Sequence, residues 1–308
     1  MALTLLEAAK LHTGDDLRAT VIEIYAEASD ILRVLPFEEI SGNALKYNQE
    51  DTLPGIGFRG LNEGYTESTG VINPVTESLF IAGGDLDVDK FLTDTMGMDQ
   101  RAVQEAMKVK ALAHKWSYTF IKGDSVSNPK EFDGLQIRIT GTQKIQAGTT
   151  ANGTPLSLAK MDEAIDAVDQ PTHLIMSKAM RRRFTTAARN QSVGGHVSFD
   201  KDEFGRPVTK YNDLPILLAD GNGSVFPTLA FDEAATSGTA TATSIYVVSF
   251  QSQMCSGIQN GTPSVRDLGE LQTKPSWRTR VEWYAGISIW HPRAVARLWS
   301  ISDAAITA

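Results

Sequence analysis

Apolar residues recur every third or fourth position from Leu17 to Leu32, at Leu17, Val21, Ile24, Tyr25, Ala28, Ile31 and Leu32, with Asp15, Asp16, Glu23 and Glu27 among the polar positions. That period predicts one amphipathic helix. The stretch before it, Met1 to His12, can form a shorter helix ending at Thr13 and Gly14 but has little to pack on locally, so an extended arm that packs elsewhere is expected. A longer helix is predicted from Asp99, able to cap it, to Phe120, with Val103, Ala106, Val109, Ala113, Trp116 and Phe120 at the same spacing. At ~1.5 Å per residue it spans roughly 33 Å and crosses a whole domain.

Alternation with period two is clearest from Trp277 to Trp290, where Trp277, Thr279, Val281, Trp283, Ala285, Ile287 and Ile289 interleave with Arg278, Arg280, Glu282, Tyr284, Gly286 and Ser288. This is a strand of roughly 46 Å at ~3.3 Å per residue, with a bend or bulge expected at Gly286. Pro292 stops it and begins the terminal stretch Arg293 to Ile301. Gly123 and Asp124 end the long helix, and Pro129 to Gly134 forms a turn into a predicted strand, Leu135 to Thr140. Helices at Leu158 to Val168 and Lys178 to Arg189 then alternate with strands at Thr172 to Met176, Leu214 to Leu218 and Ser244 to Phe250, which reads as a separate α/β unit.

Ser41 to Asp85 has another character. Ala44 to Tyr47 and Thr76 to Ile81 are strand-like, and the segment between them carries Gly55, Gly57, Gly60, Gly64 and Gly70. The expectation is a long hairpin with an irregular tip. Connections of this length persist in compact domains chiefly where they carry function or are disordered.

Composition narrows the class. The 308 residues are 42% hydrophobic and 21% charged, so a folded core is expected, and the net charge of -8 argues against a protein that coats nucleic acid directly. The single Cys255 excludes an intrachain disulfide or a thiolate zinc site and fits a reducing folding compartment. Met1 to Lys10 lacks a basic region before an apolar core, and no run approaches the roughly 18 apolar residues of a membrane helix, so neither secretion nor a membrane is expected.

Each candidate for chemistry is weak. Gly55, Gly57 and Gly60 spell the dinucleotide pattern G-x-G-x-x-G, but Pro54 precedes it and Asn62, Glu63 and Gly64 follow, without the strand and helix that would hold a pyrophosphate. Asp85, Asp87 and Asp89 start like a calcium loop, as do Asp200, Asp202 and Gly205, yet Lys90 and Met96 stand where the first loop needs Gly and Glu, and Tyr211 where the second needs its acid. Both are expected to be solvated acidic turns. His12, His114, His173, His196 and His291 are scattered, and no nucleophile elbow appears. Lys178, Arg181, Arg182, Arg183 and Arg189 make a basic helix face opposite the buried stripe of Met180, Phe184 and Ala187, expected to be solvated or in contact with another subunit. No catalytic residue, metal or cofactor is expected.

The order of these segments resembles the major capsid proteins of tailed bacteriophages, with the Hong Kong ninety-seven type of fold. The resemblance is carried by the arm, the glycine-bearing loop, the long helix, Gly123-Asp124 with Pro129 to Leu135 (PKEFDGL), and the C-terminal run Val281 to Ile301 (VEWYAGISIWHPRAVARLWSI). It implies an α+β fold: an N-terminal arm (1–40), an extended loop (41–84), a peripheral domain (85–168 and 272–308) with spine helix 99–120 and a β-sheet, and an axial α/β domain (169–271). The implied function is a subunit that assembles into hexamers and pentamers of an icosahedral virion head around double-stranded DNA, assembled in the host cytoplasm. Arg59, Glu63, Tyr65 and Glu67 near the loop tip are candidate intersubunit contacts. Some relatives weld subunits by an isopeptide bond from a loop lysine; no lysine lies between Tyr47 and Asp89, so a noncovalent shell is expected. No domain-sized segment precedes the arm, so a separate scaffolding protein is expected, with a portal and decoration proteins as further partners. An encapsulin-like nanocompartment shell resembles the same fold and is the alternative, and a nucleotide-binding α/β enzyme resting on the glycine pattern is the second.

Overall fold

A computed structural model of the chain describes residues 29–96, 99–189, 197–201, 207–219, 228–238 and 240–307. The predicted helix from Leu17 lies outside them as far as Ala28. At Ser29 the backbone is extended (φ -142°, ψ 126°), and a separate short helix, α1 (Asp30–Val34), begins there.

Two sheets and one long hairpin organise the chain. The hairpin pairs β2 (Ala44–Thr52) with β3 (Val71–Ser78) in antiparallel register. The first sheet has five strands, with β1 (Phe37–Glu39), β12 (Cys255–Gln259), β14 (Ser276–Ile289) and β13 (Ser264–Glu270) in spatial order and β4 (Phe80–Asp89) on β14. The second has eight. Its order is β5 (Lys144–Gln146), β15 (Val295–Ile301), β11 (Ala240–Val248), β6 (His173–Met176), β9 (Leu214–Leu218), β8 (Pro207–Tyr211) and β7 (Val197–Lys201), with β10 (Glu233–Ala234) on β11.

The predicted long helix forms as α3 (Asp99–Lys122), preceded by α2 (Lys90–Met96). Its stripe of Val109, Ala113, Trp116 and Phe120 packs on the alternate residues Val281, Trp283, Ala285 and Ile287 of β14, so helical and strand periods meet in one core. Aromatic rings bind that core together. Trp116 lies with ring centroids 5.3 Å from Phe120, 5.6 Å from Trp283 and 5.7 Å from Phe37. After the helix, Gly134 N–H donates to Gly123 O at 2.9 Å, and a Cβ on Gly123 would meet Phe132 O at 2.3 Å, so this crossing admits only glycine there.

The eight-stranded sheet stands between two cores. Ile175, Leu217, Tyr246 and Val248 face the spine-helix core, while Leu174, Ile216, Ile245 and Val247 face a second core built with α5 (Leu158–Asp166) and α6 (Lys178–Ala187). Met180, Phe184 and Ala187 are buried in it as their spacing predicted. Ser177 Oγ caps α6 by accepting from Met180 N–H at 3.2 Å.

Three local expectations are corrected. Leu135 to Thr140 is no strand: α4 (Leu135–Arg138) is a helical turn, because Leu135 and Ile139, four apart, are buried while the intervening Ile137 is exposed. Gly286 marks no bulge. Pairing with β12 runs through it without a break, and its missing side chain instead admits Ser78 O and Ile258 against the strand. Asp85 and Asp87 lie in β4 rather than in an acidic turn, and they pair with arginines of β14.

Sheet membership interleaves more finely than the expected ranges. Residues 255–270 pair into the five-stranded sheet, and β5, α5 and β15 build the eight-stranded layer.

Candidate assembly site

Past Thr52 and Pro54 the hairpin strands part into an irregular tip held by short-range bonds. Ser68 Oγ donates to Gly55 O at 2.8 Å, Gly60 N–H donates to Glu63 Oε2 at 2.8 Å, and Arg59 Nη1 donates to Glu63 O at 3.2 Å. The Arg59 guanidinium also lies 5.2 Å from the Tyr65 ring centroid. Of the four predicted contact residues the tip brings Arg59, Glu63 and Tyr65 together, and Glu67 stands apart from them; all four are exposed.

Several apolar residues of the tip are almost wholly exposed. Ile56, Phe58 and Leu61 keep 97%, 110% and 95% of their surface open, and Leu53 is exposed as well. Ile56 and Phe58, with Tyr65, Thr66 and Ser68, line a cleft of about 470 Å³. The expected contacts Arg59, Glu63, Tyr65 and Glu67 are their neighbours, and none of these three is among them. Large apolar side chains set among glycines, in a segment with no strand partner, were the available signal. Such a concentration on a projecting loop marks a surface that another molecule covers.

The base of the hairpin is fastened. Tyr47 Oη donates to Ile289 O at 2.7 Å, and its ring lies 4.5 Å from that of Trp290. Burial, with the nearby Glu77 carboxylate, pushes the Tyr47 phenol up to about 12, so it remains the neutral donor this bond needs. Arg138 grips Glu77 with both terminal guanidinium nitrogens, one bond measuring 2.8 Å, and also donates from Nε to Asp133 O at 2.7 Å. Asn260 Nδ2 donates to Gly42 O at 3.2 Å. A rigid ribbon therefore carries an apolar tip away from the body.

The other motifs have structural duties. Gly55, Gly57 and Gly60 lie in irregular backbone just past the end of β2, so a strand does precede them, contrary to expectation; no helix follows before β3, and no helix N-terminus meets them. Arg280 holds Asp85 and Arg278 holds Asp87 in two-bond pairs across β4 and β14, which keeps both carboxyls below their ordinary range. Asp200 pairs with Lys210 across β7 and β8, while Asp202, Gly205, His12 and His196 lie outside the described residues. Cys255 is buried, and burial pushes its thiol up to about 12. In the basic helix face, Arg183 pairs with Asp303 at 2.8 Å. Among the described residues no cluster of His, Cys, Asp or Glu fits a metal, and no helix is long and apolar enough to cross a membrane.

Residues 13–155 match the sequence profile of the family "Major capsid protein GP7". No curated protein matches the chain. Among solved structures, the encapsulin of the holo-SrpI complex from Synechococcus elongatus PCC 7942 is similar at TM-score 0.66 and 16% identity, covering 100% of this chain and 99% of that one. The capsid of the native GTA particle is similar at TM-score 0.61 and 14% identity, with 89% and 90% covered. A Mycobacterium phage Bobi chain is similar at TM-score 0.61 and 13% identity, with 88% and 89% covered. At such identities the likeness establishes the shared fold, and the profile match adds a family resemblance over residues 13–155. The chain has the fold that these capsid and encapsulin chains share, and its residues 13–155 resemble the major capsid protein family.

Proposed function

We propose that this subunit assembles into hexamers and pentamers of an icosahedral head that encloses double-stranded DNA, and that its extended loop is the main noncovalent tie between neighbours. The observation that carries this reading is the fastened hairpin ending in Ile56, Phe58 and Leu61, which are almost wholly exposed in the single chain. Fully burying one such side chain contributes about 1.5–3 kcal/mol. Repetition around closed rings turns these modest contacts into a stable particle. Arg59, Glu63, Tyr65 and Glu67 then form the polar rim of the contact and set its register.

In this reading the five-stranded sheet with the spine helix is the peripheral domain, and the eight-stranded sheet with α5 and α6 is the axial domain. The chain works by self-association, without catalysis or cofactor. Its net charge of -8 suits a wall that contains DNA without sequence-specific grip. A separate scaffolding protein and a portal complete assembly, and decoration proteins bind outside.

Electron microscopy of the protein co-expressed with its scaffolding protein tests this. Closed shells or rings are expected; a stable monomer under every assembly condition would overturn it. A second reading, an encapsulin-like nanocompartment, draws on the full-length likeness to the cyanobacterial encapsulin. The profile match and the long loop favour the phage head. Nuclease-protected DNA inside purified particles supports the head, whereas a co-purifying cargo enzyme supports the compartment.

A further inference from the structure

Charge is unevenly shared along this acidic chain. Between Asp169 and Asp200 the sequence holds no acid, yet it holds Lys178, Arg181, Arg182, Arg183 and Arg189. All five lie on α6 or just past it. At 3.6 residues per turn Lys178, Arg181, Arg182 and Thr185 fall within one stripe about 100° wide, and the helical backbone of Ala188 carries Arg189 onto the same side. Met180, Phe184 and Ala187 on the opposite side fill the second core, so their burial turns the basic stripe outward. Lys178, Arg182 and Arg189 are exposed, and Arg181 is half-buried.

The stripe lacks the partners that arginines have elsewhere in the chain. Arg183 on its flank is held by Asp303, as Arg138 is by Glu77 and Arg297 by Glu233, but Arg181, Arg182 and Arg189 meet no carboxylate among the described residues. The positive field extends to the spine helix. Burial, together with the ammonium charges of Lys178 and Lys110, holds the His114 imidazole below its ordinary value, which places both lysines near that ring.

Such a surface suits one class of partner. Large apolar side chains, which anchor protein contacts, are absent from the exposed face of α6. Phosphates need none, because arginines and lysines position a nucleic-acid backbone by charge and hydrogen bonds alone. We propose that the stripe of Lys178, Arg181, Arg182 and Arg189 binds the phosphate backbone of duplex DNA without reading its sequence. The stripe runs roughly 16 Å, and phosphates of one strand advance ~3.4 Å each along the duplex axis, so several lie within its reach. That the duplex is the packaged one rests on the head proposed above; the binding itself does not.

Fluorescence anisotropy of a labelled random-sequence DNA duplex, titrated with the unassembled full chain, tests this. At about 50 mM salt the triple variant Arg181→Gln, Arg182→Gln, Arg189→Gln should bind about tenfold more weakly than the parent, and its log-log salt slope should be shallower by about 3, since each phosphate contact contributes roughly 0.9. A control that removes equal charge at the exposed Lys46, Lys130 and Lys144 should stay within about twofold of the parent. All three proteins should share one urea midpoint, because the substituted side chains lie outside both cores. Equal losses in the two variants would overturn the proposal, as would a parent that does not bind the duplex at low salt. So would a stripe variant that keeps its DNA affinity but no longer forms shells, which would make the stripe a contact between subunits. Electron microscopy of the parent reads the head separately: closed shells without stripe-dependent DNA binding sink this inference alone, and stripe-dependent binding without shells sinks only the head.

Discussion

At the scale of single residues, the deepest charge lies far from the loop. Arg297 donates to Glu233 Oε2 at 2.8 Å, to Ser244 Oγ at 3.0 Å and to Gln136 O at 3.4 Å, with 6% and 4% of the two charged side chains exposed. The pair ties β15 to the β10–β11 edge and to α4. Removing one partner strands the other charge in the interior, so Arg297→Met should cost about 3–5 kcal/mol, read as a drop in the urea midpoint. The ladder on β4 and β14 differs because it is open to water. Bonds from Arg280 and Arg278 lower the folded-state pKa of Asp85 and Asp87, so the stability they contribute is complete above the ordinary carboxylate range near pH ~4 and is lost as pH falls through the depressed values. The double variant Asp85→Asn, Asp87→Asn should therefore show a shallower acid limb in a urea-midpoint series against pH than the parent.

At the scale of elements, the extended hairpin separates two jobs that mutation can distinguish. Phe58 is fully exposed at the tip and Trp116 is buried on the core-facing side of the spine helix. Phe58→Asp should leave the monomer's stability within about 0.5 kcal/mol while greatly reducing the yield of shells in sedimentation. Trp116→Ala should instead cost about 3–5 kcal/mol in denaturant and reduce assembly only through loss of folded protein. The elements themselves show where sequence patterns hold. The spine helix and the long strand β14 were legible because each keeps one period over many residues, which averages out local exceptions. Leu135, Ile137 and Ile139 were misread because three alternating apolar residues fit a strand as well as a turn of helix, and only the packing that buries the first and last decides between them.

At the scale of the whole molecule, the proposed shell is expected to be held by contact rather than by covalent links. No lysine lies between Tyr47 and Asp89, and Lys46 sits at the base of the hairpin opposite Thr76. Particles boiled in SDS should run as a single monomer band, and a ladder of multiples would contradict a noncovalent shell. The sequence by itself determined the spine helix, the alternating strand β14, the glycine-marked excursion from Ser41 and the lack of any coherent catalytic motif, because these depend on local periodicity and residue type. Tertiary structure alone decided that Asp85 and Asp87 meet Arg280 and Arg278, that Glu77 meets Arg138 at the root of the hairpin, and that Ile56, Phe58 and Leu61 find no cover among the described residues. Those outcomes turn on partners tens to hundreds of residues apart and on which surfaces remain open after packing, neither of which a local pattern contains.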